Sequence, residues 1–510
     1  MVMEVTLRKF KELLGEVIDA QAAVALLQWD EEVNMPPKGA PARGRQLATL
    51  SKWVHRAFTS EEMGRYIEEL LDAGDALAPD DAVLVAETHY DYSRQKKLPV
   101  DFIERFAEAR SHAYQAWVEA RDASEFGVFL PHLEILVELL RQKADYLGYE
   151  DTPYDALLAG YERGMTTRRL KTLFADLGPR QSALLHRIMR APHRQDFDWL
   201  QQDWNQDAQW AVTLHMLRDM GYDFDAGRQD RSVHPFTINF DLHDVRITTR
   251  THPRELFSSI TGSLHEGGHA LYEQGFLEKD RRTLLAQAPS LGIHESQSRL
   301  WENTIGRSLP FWKHYTPLLR EHFPGQLDDV SPEAIHRAVN RVRPSLIRVE
   351  ADECTYNLHV ILRFEIEVAL IEGAMQPAEV PHAWNTRMKA LLDIDVPDDA
   401  HGCLQDIHWS HGEMGYFASY ALGNIYAAQL FEKMLEDISG LWDHVEHAQF
   451  QPILTWLREK VHHVGRRKRA AEIVRDATGR EPDAEAFLRY LEKKFYPLYE
   501  IPMTDTGTGA

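Results

Sequence analysis

Residues 256–271 read Leu-Phe-Ser-Ser-Ile-Thr-Gly-Ser-Leu-His-Glu-Gly-Gly-His-Ala-Leu, and this stretch predicts a helix that carries a metal site. Its leucine and isoleucine residues recur at the spacing of an amphipathic helix. On such a helix the imidazoles of His265 and His269 are one turn apart and leave the same face. Two such nitrogens can hold one divalent metal, with Glu266 beside them as a general base.

A hydrogen-bonded pair of core histidines is the alternative to a metal site. The chain contains 25 histidines, so a H-E-x-x-H string arises by chance in on the order of one such chain in ten. Gly267 and Gly268 favour the metal site. Each glycine inside a helix costs about 1 kcal/mol relative to alanine, and such a pair is best tolerated where another backbone or a ligand approaches closely.

A third metal ligand is predicted at Glu295, which lies 26 positions beyond His269. The intervening chain is long enough to turn and bring a second helix, predicted from about 289 to 307, alongside the first. Two histidines and one glutamate with one open position form a catalytic zinc pattern. A third histidine six residues after His269 is excluded because that residue is Gly275. A carboxylate on a helix surface is the alternative for Glu295.

Composition limits the classes of partner and the compartment. The formal net charge of the 510-residue chain is −22, which argues against nucleic acid because phosphate binding needs a basic surface. The basic run at 466–469 is interpreted as a solvated helix start or an ion-pair patch. Two cysteines, Cys354 and Cys403, indicate reduced thiols and a cytoplasmic location. No signal-peptide core and no apolar run of membrane-spanning length are expected.

Helical periodicity dominates the chain, and one stretch departs from it. Residues 232–250 are β-branched and aromatic and predict a short strand in a small sheet before the metal helix. Such a strand could bind an extended peptide through its backbone, or serve only as a structural hairpin.

One domain is expected over 1–500, followed by a tail at 501–510. Within it we expect an N-terminal helical part at about 1–225, a metal-site core at about 226–425 and C-terminal helices at about 426–500. Helices are predicted near 4–27, 43–72, 81–96, 100–147, 167–190, 205–220, 253–274, 290–306, 331–372, 376–393, 412–436, 441–463, 467–477 and 483–495.

Further polar residues follow the metal helices. Arg348 and Asp352 would be one turn apart on the helix predicted over 331–372 and could form an ion pair. Alternatively, the planar guanidinium of Arg348 could clamp a carboxylate. His408, Tyr416 and Tyr420 offer donors that could stabilise an oxyanion, although each is also a residue type commonly found in cores.

Six short motifs occur in order along the chain. They are His234-Pro235-Phe236; Asp244, Arg246 and Thr248; His265 to His269; His294-Glu295-Ser296-Gln297; Ile347-Arg348 with Ala351-Asp352; and Gly402, Gln405, Asp406, His408 and Trp409. Together they resemble the motifs of the M32 metallocarboxypeptidases, the carboxypeptidase Taq type, and the resemblance covers nearly the whole chain.

The resemblance implies a mainly α fold, a large multi-helix zincin-type peptidase like neurolysin and angiotensin-converting enzyme, with a deep groove and a small β-sheet. It implies release of single C-terminal amino acids from peptides that have a free C-terminus, with broad specificity and poor action after proline. It also implies one Zn²⁺ per subunit, with Co²⁺ as a substitute, and a homodimer.

The resemblance and the residue chemistry together predict roles at the site. His265, His269 and Glu295 bind the metal, while Glu266 takes a proton from water and delivers it to the leaving amine. His408 with Tyr420 or Tyr416 donates to the oxyanion, and Arg348 binds the terminal carboxylate. His234 and Tyr416 are expected to contact substrate. Asp244 is expected to hold a metal-bound histidine, Asp352 to orient Arg348, and Arg246, Gln297, Gln405 and Asp406 to support the site.

Two other functions fit parts of the pattern. An endopeptidase or oligopeptidase could use the same metal chemistry, and Arg348 together with a groove closed at one end would distinguish the carboxypeptidase. A metal-binding or scaffold protein without catalysis is the second alternative. Glu266 and the later histidine and tyrosine donors argue against it, because a structural site needs neither a base nor an open coordination position.

Overall fold

A computed structural model describes residues 2–191 and 197–502, and about 70% of it is helical. The mainly α fold class predicted from the sequence is therefore confirmed, while residues 503–510 of the predicted tail lie outside the described residues. The α-helices of the described chain are α1 Val2–Val33, α2 Ala40–Phe58, α3 Glu61–Ala73, α4 Pro79–Lys96, α5 Val100–Ala123, α6 Phe126–Leu147, α7 Pro153–Leu158, α8 Thr167–Met189, α9 Gln206–Met220, α10 Leu256–Glu273, α11 Leu291–Arg299, α12 Leu309–His322, α13 Pro332–Val339, α14 Tyr356–Glu372, α15 Val380–Leu392, α16 Phe417–Asp437, α17 Leu441–Glu446, α18 Gln451–Lys460, α19 Ala470–Thr478 and α20 Glu485–Leu498.

Several long predicted helices are divided in the structure. The segment predicted over 43–72 breaks before α3, where the Ser60 hydroxyl accepts from the Met63 N–H at 3.1 Å and caps the new helix. The segment predicted over 100–147 breaks at Ser124, whose φ of 57° lies in the left-handed region. α12 was not predicted; it contains Pro310 and Pro317, which read as helix breaks in the sequence.

A three-stranded sheet directly precedes α10, as the sequence predicted. Its strands are β1 Gly227–Arg231, β2 Thr237–Asp241 and β3 Asp244–Thr249, in the order β1-β3-β2. β1 pairs with β3 in parallel and β2 pairs with β3 antiparallel. Val245 and Ile247 of β3 are completely buried, and β3 contacts α10. The sheet therefore supports the helix on which the metal motif lies.

Two apolar clusters make up the core. The larger one extends from α5 to α20 and surrounds the metal-motif helices. The smaller one is formed by α1 to α4 together with Leu284 and Leu285. Because α10 and α11 lie inside the larger cluster, the polar groups of the site are held in well-packed surroundings.

The basic run at 466–469 forms ion pairs with the N-terminal helices. Arg466 binds Asp91 at 2.8 Å, and Arg469 binds the buried Glu87 at 2.7 Å. Arg467 binds Asp80 and also Asp280, the latter at 2.7 Å. The ion-pair interpretation of this run is therefore confirmed, and these ion pairs connect α4 to the C-terminal part of the chain.

Two further expectations concern the cysteines and the membrane. Cys354 and Cys403 are free thiols, and both are buried. Among the described residues no helix combines the length and the apolar character needed to cross a bilayer.

Candidate active site

Glycines allow three helices to meet at the site. A Cβ atom on Gly268 of α10 would lie 2.7 Å from the carbonyl oxygen of Gln297 in α11. A Cβ atom on Gly423 of α16 would lie 2.5 Å from Cγ of Glu295. Both distances are far below van der Waals contact. The close approach inferred from the glycine pair in α10 is therefore confirmed at Gly268, where the neighbour is backbone.

His265, His269 and Glu295 converge as the sequence predicted. One ligand atom from each lies within 4.8 Å of the others. Oε2 of Glu295 is 3.8 Å from Nε2 of His265 and 3.4 Å from Nε2 of His269. Two imidazoles and one carboxylate suit a catalytic divalent metal such as zinc. The donor set and its convergence therefore fit a metal ion held between α10 and α11.

Charged residues around this donor set orient it. Nδ1 of His265 lies 2.9 Å from Oε2 of Glu302, a contact that fixes which nitrogen faces Glu295. Arg299 donates to Glu295 at 2.6 Å, and Arg307 donates to Glu302 at 2.7 Å. Glu302 belongs to a π-helical segment, Leu300–Ile305, that continues α11.

Sequence reasoning did not identify this surrounding network. A signal for Glu302 was present, because it follows Glu295 by seven residues and two helical turns return to the same face. Arg299 follows Glu295 by four residues, which is the spacing of a helical ion pair.

Burial and neighbouring charges set the protonation of two members of the donor set, His269 and Glu295. Burial, followed by the charge of His294, lowers the pKa of His269 to about 3, so its imidazole is neutral and free to coordinate. Burial alone would raise the pKa of Glu295, but the charges of Arg299 and His265 outweigh it and hold the pKa well below its ordinary value. Glu295 is therefore a carboxylate.

Glu266 lies in a buried position beside the donor set. Its Oε2 accepts a hydrogen bond from the hydroxyl of Thr237 in β2 at 2.7 Å. Burial raises the pKa of Glu266 above its ordinary value. β2 is an edge strand of the sheet, so Glu266 is held from the edge of the sheet.

The His234-Pro235-Phe236 segment is held by the strand motif that follows it. The Phe236 N–H donates to the hydroxyl of Thr248 at 2.9 Å, and Pro235 lies over Gly262 of α10. His234 itself is exposed, and its ring makes no hydrogen bond with the described residues. The segment is thus fixed one residue before Thr237.

The expectation that Asp244 holds a metal-site histidine is wrong. Asp244 and Arg246 share a face of β3 and pair with each other at 2.7 and 2.8 Å. The guanidinium of Arg246 also lies over the ring of Trp29 in α1, 4.4 Å from its centroid. The carboxylate on His265 is Glu302 instead, because α11 and its continuation run alongside α10.

The contacts of His294 were not predicted from the sequence. Its Nε2 lies 2.7 Å from Glu273, and its ring stacks on that of His269 with centroids 4.4 Å apart. Asn239 of β2 donates to the same glutamate. Gln297, three residues beyond His294, lies 3.0 Å from Nε2 of His462 and supports the helix rather than the donor set.

Arg348 lies in a buried network of charges. Its Nε and Nη2 donate to Asp406 Oδ1 at 3.0 and 2.8 Å, and its Nη1 donates to the hydroxyl of Tyr356 at 2.9 Å. Arg363 binds the other oxygen of Asp406 at 2.6 Å. Gln405 Oε1 accepts from the Arg348 N–H and from Arg363. The structure therefore brings together Arg348, Gln405 and Asp406, all three of which the sequence singled out.

The predicted contact between Arg348 and Asp352 is wrong, as is the single helix over 331–372. Residues 348–350 form only a short 3₁₀ turn. Asp352 accepts from the N–H groups of Arg343 and Cys354 at 2.8 and 2.9 Å. An aspartate that bonds nearby backbone in this way competes with helix formation, so α14 begins only at Tyr356.

His408, Tyr416 and Tyr420 form one aromatic group. The centroid of Tyr416 is 5.2 Å from those of both His408 and Tyr420, and the Tyr420 hydroxyl lies 3.5 Å from His408 Nε2. Burial lowers the pKa of His408 to about 4, so its imidazole is neutral. Arg348 lies over the Tyr420 ring at 5.0 Å, which connects this group to the Asp406 network.

Sequence comparison places these features in a known family. The model of the carboxypeptidase Taq (M32) metallopeptidases matches residues 9–495. Thermostable carboxypeptidase 1 of Thermus thermophilus is 41% identical over 510 residues, covering 98% of this chain and all of that protein. Carboxypeptidase 1 of Bacillus subtilis is 39% identical over 492 residues, covering 96% of this chain and 98% of its own.

Solved structures agree with this placement. The M32 carboxypeptidase of Deinococcus radiodurans superposes with a TM-score of 0.95 at 36% identity, covering 97% of this chain and all of that one. The carboxypeptidase of Pyrococcus furiosus gives a TM-score of 0.93, also at 36% identity, covering 96% and 99%. The likeness therefore extends over nearly the whole chain.

Proposed function

This chain belongs to the carboxypeptidase Taq (M32) family and is a metallocarboxypeptidase, and we propose that it uses zinc to release single C-terminal amino acids from peptides. The observation that carries this proposal is the convergence of His265, His269 and Glu295 with the carboxylate of Glu266 beside them. Three protein ligands leave one position open, which a structural zinc site does not.

Glu266 acts as the general base in this proposal. His265, His269 and Glu295 would hold a divalent metal, which would supply a water molecule of lowered pKa and an electrophile for the carbonyl of the peptide. Glu266 takes the proton of that water and later delivers it to the leaving amine. The Thr237 hydroxyl holds the Glu266 side chain in place at 2.7 Å, and burial separates this carboxylate from bulk solvent.

His408 and Tyr420 supply hydrogen bonds to the developing oxyanion. His408 is neutral, so a ring N–H remains available as a donor without a change of charge. Tyr420 is the preferred partner because its hydroxyl lies against Nε2 of His408. Tyr416 is the alternative donor, because its ring packs against the rings of both His408 and Tyr420.

Arg348 is proposed to bind the free carboxylate of the substrate. Arg348 and Arg363 share the single carboxylate Asp406, so two cations face one anion and a positive charge is left over. Asp406 and Tyr356 occupy three N–H donors of Arg348, and a guanidinium has five. A substrate carboxylate would balance the excess charge in a buried setting, where such a pair is strong.

Further properties are proposed from family membership together with the sequence. We propose broad specificity with poor action after proline, Co²⁺ as a functional substitute for Zn²⁺, a homodimer and a cytoplasmic location. Two buried free thiols are in keeping with a reducing compartment.

Digestion of a defined peptide ladder tests the proposed reaction. The purified chain is incubated with the peptides, with and without a chelator, and the products are read by mass. We expect loss of one residue at a time from the C-terminus, and no loss once the metal is removed. Internal cuts would indicate an endopeptidase, and bound metal without any cleavage would indicate a protein that only binds metal.

Two variants separate the proposed roles of the residues. Glu266→Gln should retain zinc but lose about 10²-fold or more of its turnover, because the general base is gone. Arg348→Ala should impair cleavage of free-acid peptides far more than any residual cleavage of their C-terminal amides. An equal loss on acid and amide would exclude the carboxylate clamp, and full turnover in Glu266→Gln would exclude the general base.

A further inference from the structure

A cavity that is separate from the metal site lies between α16, α17, α20 and the beginning of α12. Its volume is about 610 Å³, which is within the range of cavities that bind small molecules. None of the metal ligands, nor Glu266, Arg348 or His408, lines it. The peptidase mechanism therefore gives this cavity no role.

One wall of the cavity is apolar and partly exposed. Phe431 of α16 and Trp442 of α17 pack with ring centroids 5.3 Å apart. Leu435 and Trp442 remain 40% and 36% exposed. Large apolar side chains that stay accessible around a concave surface are typical of a binding site.

The other wall is basic. Arg489, Lys493 and Lys494 of α20 line the cavity, and Glu432 is the one acidic side chain among the residues that line it. Counted together with Glu353, which binds Lys494, three cations face two carboxylates, so the lining carries a formal charge of +1 in a chain whose net charge is −22. Glu432 is bound by Arg489 and by Arg480, and Glu353 is bound by Lys494. Lys493 is therefore the cation of the lining that no carboxylate of the described residues neutralises.

Two of these polar groups are available to a ligand. Lys493 is exposed and forms no ion pair with the described residues, whereas Lys494 is held by Glu353. The ring of His336, which also lines the cavity, makes no hydrogen bond within the described chain. Burial and the charge of Lys494 lower the pKa of His336 to about 4, so its neutral ring can accept or donate one hydrogen bond.

We propose that this cavity binds a small amphiphilic anion, whose apolar body packs on Phe431 and Trp442 and whose acidic group faces Lys493. An anion is favoured over a neutral molecule by the charge of the lining, and over a bare inorganic ion by the apolar wall. This site is independent of the proposed peptidase function, because the two share no lining residue.

Two fluorescent dyes test the proposal on the full-length protein. The anion 1-anilinonaphthalene-8-sulfonate and the neutral N-phenyl-1-naphthylamine share the same rings and differ in the sulfonate. We expect the anion to bind at least about 10-fold more tightly at low salt, and this advantage to shrink as salt screens the cations. Equal affinity for the two dyes, or no binding of either, would overturn the proposal.

A charge reversal locates the bound anion. Lys493→Glu should weaken binding of the anionic dye by at least about 5-fold and change the neutral dye by less than 2-fold. Lys52→Glu, on the exposed face of α2, makes the same change of charge far from the cavity and should leave both affinities unchanged. An identical effect of the two variants would mean that only overall charge matters, and the proposal would fail.

A filled cavity provides the second variant. Ala428 of α16 lines the cavity and is buried, so Ala428→Phe should reduce binding of both dyes. If that variant does not fold, the result with Lys493→Glu decides alone. If Ala428→Phe instead converts a dimer to a monomer in sedimentation, and neither dye binds the wild type, the cavity is a subunit interface and the proposal is wrong.

Discussion

A single methyl group added to α16 should weaken metal binding at the neighbouring helix. In Gly423→Ala the new Cβ would lie 2.5 Å from Cγ and 2.7 Å from Cβ of Glu295. Ordinary carbon contacts are about 3.5–4.0 Å. Either Glu295 or α16 must therefore move by roughly 1 Å, and Glu295 is a proposed metal ligand.

The size of the effect follows from two opposing terms. Alanine gains about 1 kcal/mol over glycine inside a helix, whereas overpacking a buried contact costs about 1–3 kcal/mol. The free energy of unfolding of the metal-free protein should therefore fall by only about 0–2 kcal/mol. Metal affinity should fall further, since metal–ligand distances tolerate only about 0.2 Å. We expect a loss of at least about 10-fold, the scale found when support for a ligand is removed.

The assay compares Gly423→Ala with a glycine that has free space around it. Gly44, inside α2, would place its added Cβ with no atom within 4 Å. Gly44→Ala should therefore stabilise the fold by about 1 kcal/mol and leave metal affinity unchanged. Zinc affinity is measured by competition with a chromophoric chelator, and stability by urea unfolding of the metal-free proteins.

Equal zinc affinity of the two variants would contradict this reasoning. If Gly423→Ala binds zinc as tightly as Gly44→Ala does, then Glu295 either absorbs the displacement at no cost or does not contribute to binding. Either outcome would contradict the role that we assign to the contact between α16 and α11.

Three further predictions concern the groups around the site. Glu302→Gln, which removes the charge beside His265, should weaken zinc binding about 10–100-fold in the same competition assay. Removal of zinc should lower the free energy of unfolding by about 3 kcal/mol relative to protein in free zinc at 100 times the zinc dissociation constant, measured by urea unfolding. Burial raises the pKa of Glu367 to about 7, so its contribution to stability is present below pH 4.5 and is lost as the pH rises through 7. Glu367→Gln should remove roughly 3 kcal/mol of that pH dependence between pH 4 and 8; an unchanged pH profile would contradict it.

The sequence predicted those parts of the fold that depend on local pattern. The helical face of α10 and the alternation in β3 are repeats of 3.6 and 2 residues, which any amphipathic element displays. The divisions between helices were harder to predict because they depend on single side chains. Asp352 takes up backbone N–H groups that a continuous helix would use, and nothing in apolar periodicity reports such a bond.

The residues of the site also fall into those that local pattern predicts and those that depend on tertiary packing. His265 and His269 could be read from one helical turn, and Glu295 from the chemistry that two histidines require. The partner of Arg348 could not be predicted from local pattern, because Asp406 lies 58 residues away in sequence and only tertiary packing brings the two residues together. The prediction for Asp244 failed because its partner is close in sequence: Arg246, two residues away on the same face of the strand, binds its carboxylate.

The charges around Glu295 indicate the order in which the site is assembled. Two carboxylates, Glu295 and Glu302, are matched by two guanidinium groups, Arg299 and Arg307. Burying an unmatched carboxylate would be costly, but here the pairing is complete within α11 and the residues that follow it. The helices can therefore pack before any metal arrives, unlike a zinc finger, whose fold depends on its ion. Zinc-free protein should accordingly retain the helical circular dichroism of the loaded form, and a large loss of helix on chelation would show that the matched charges are insufficient.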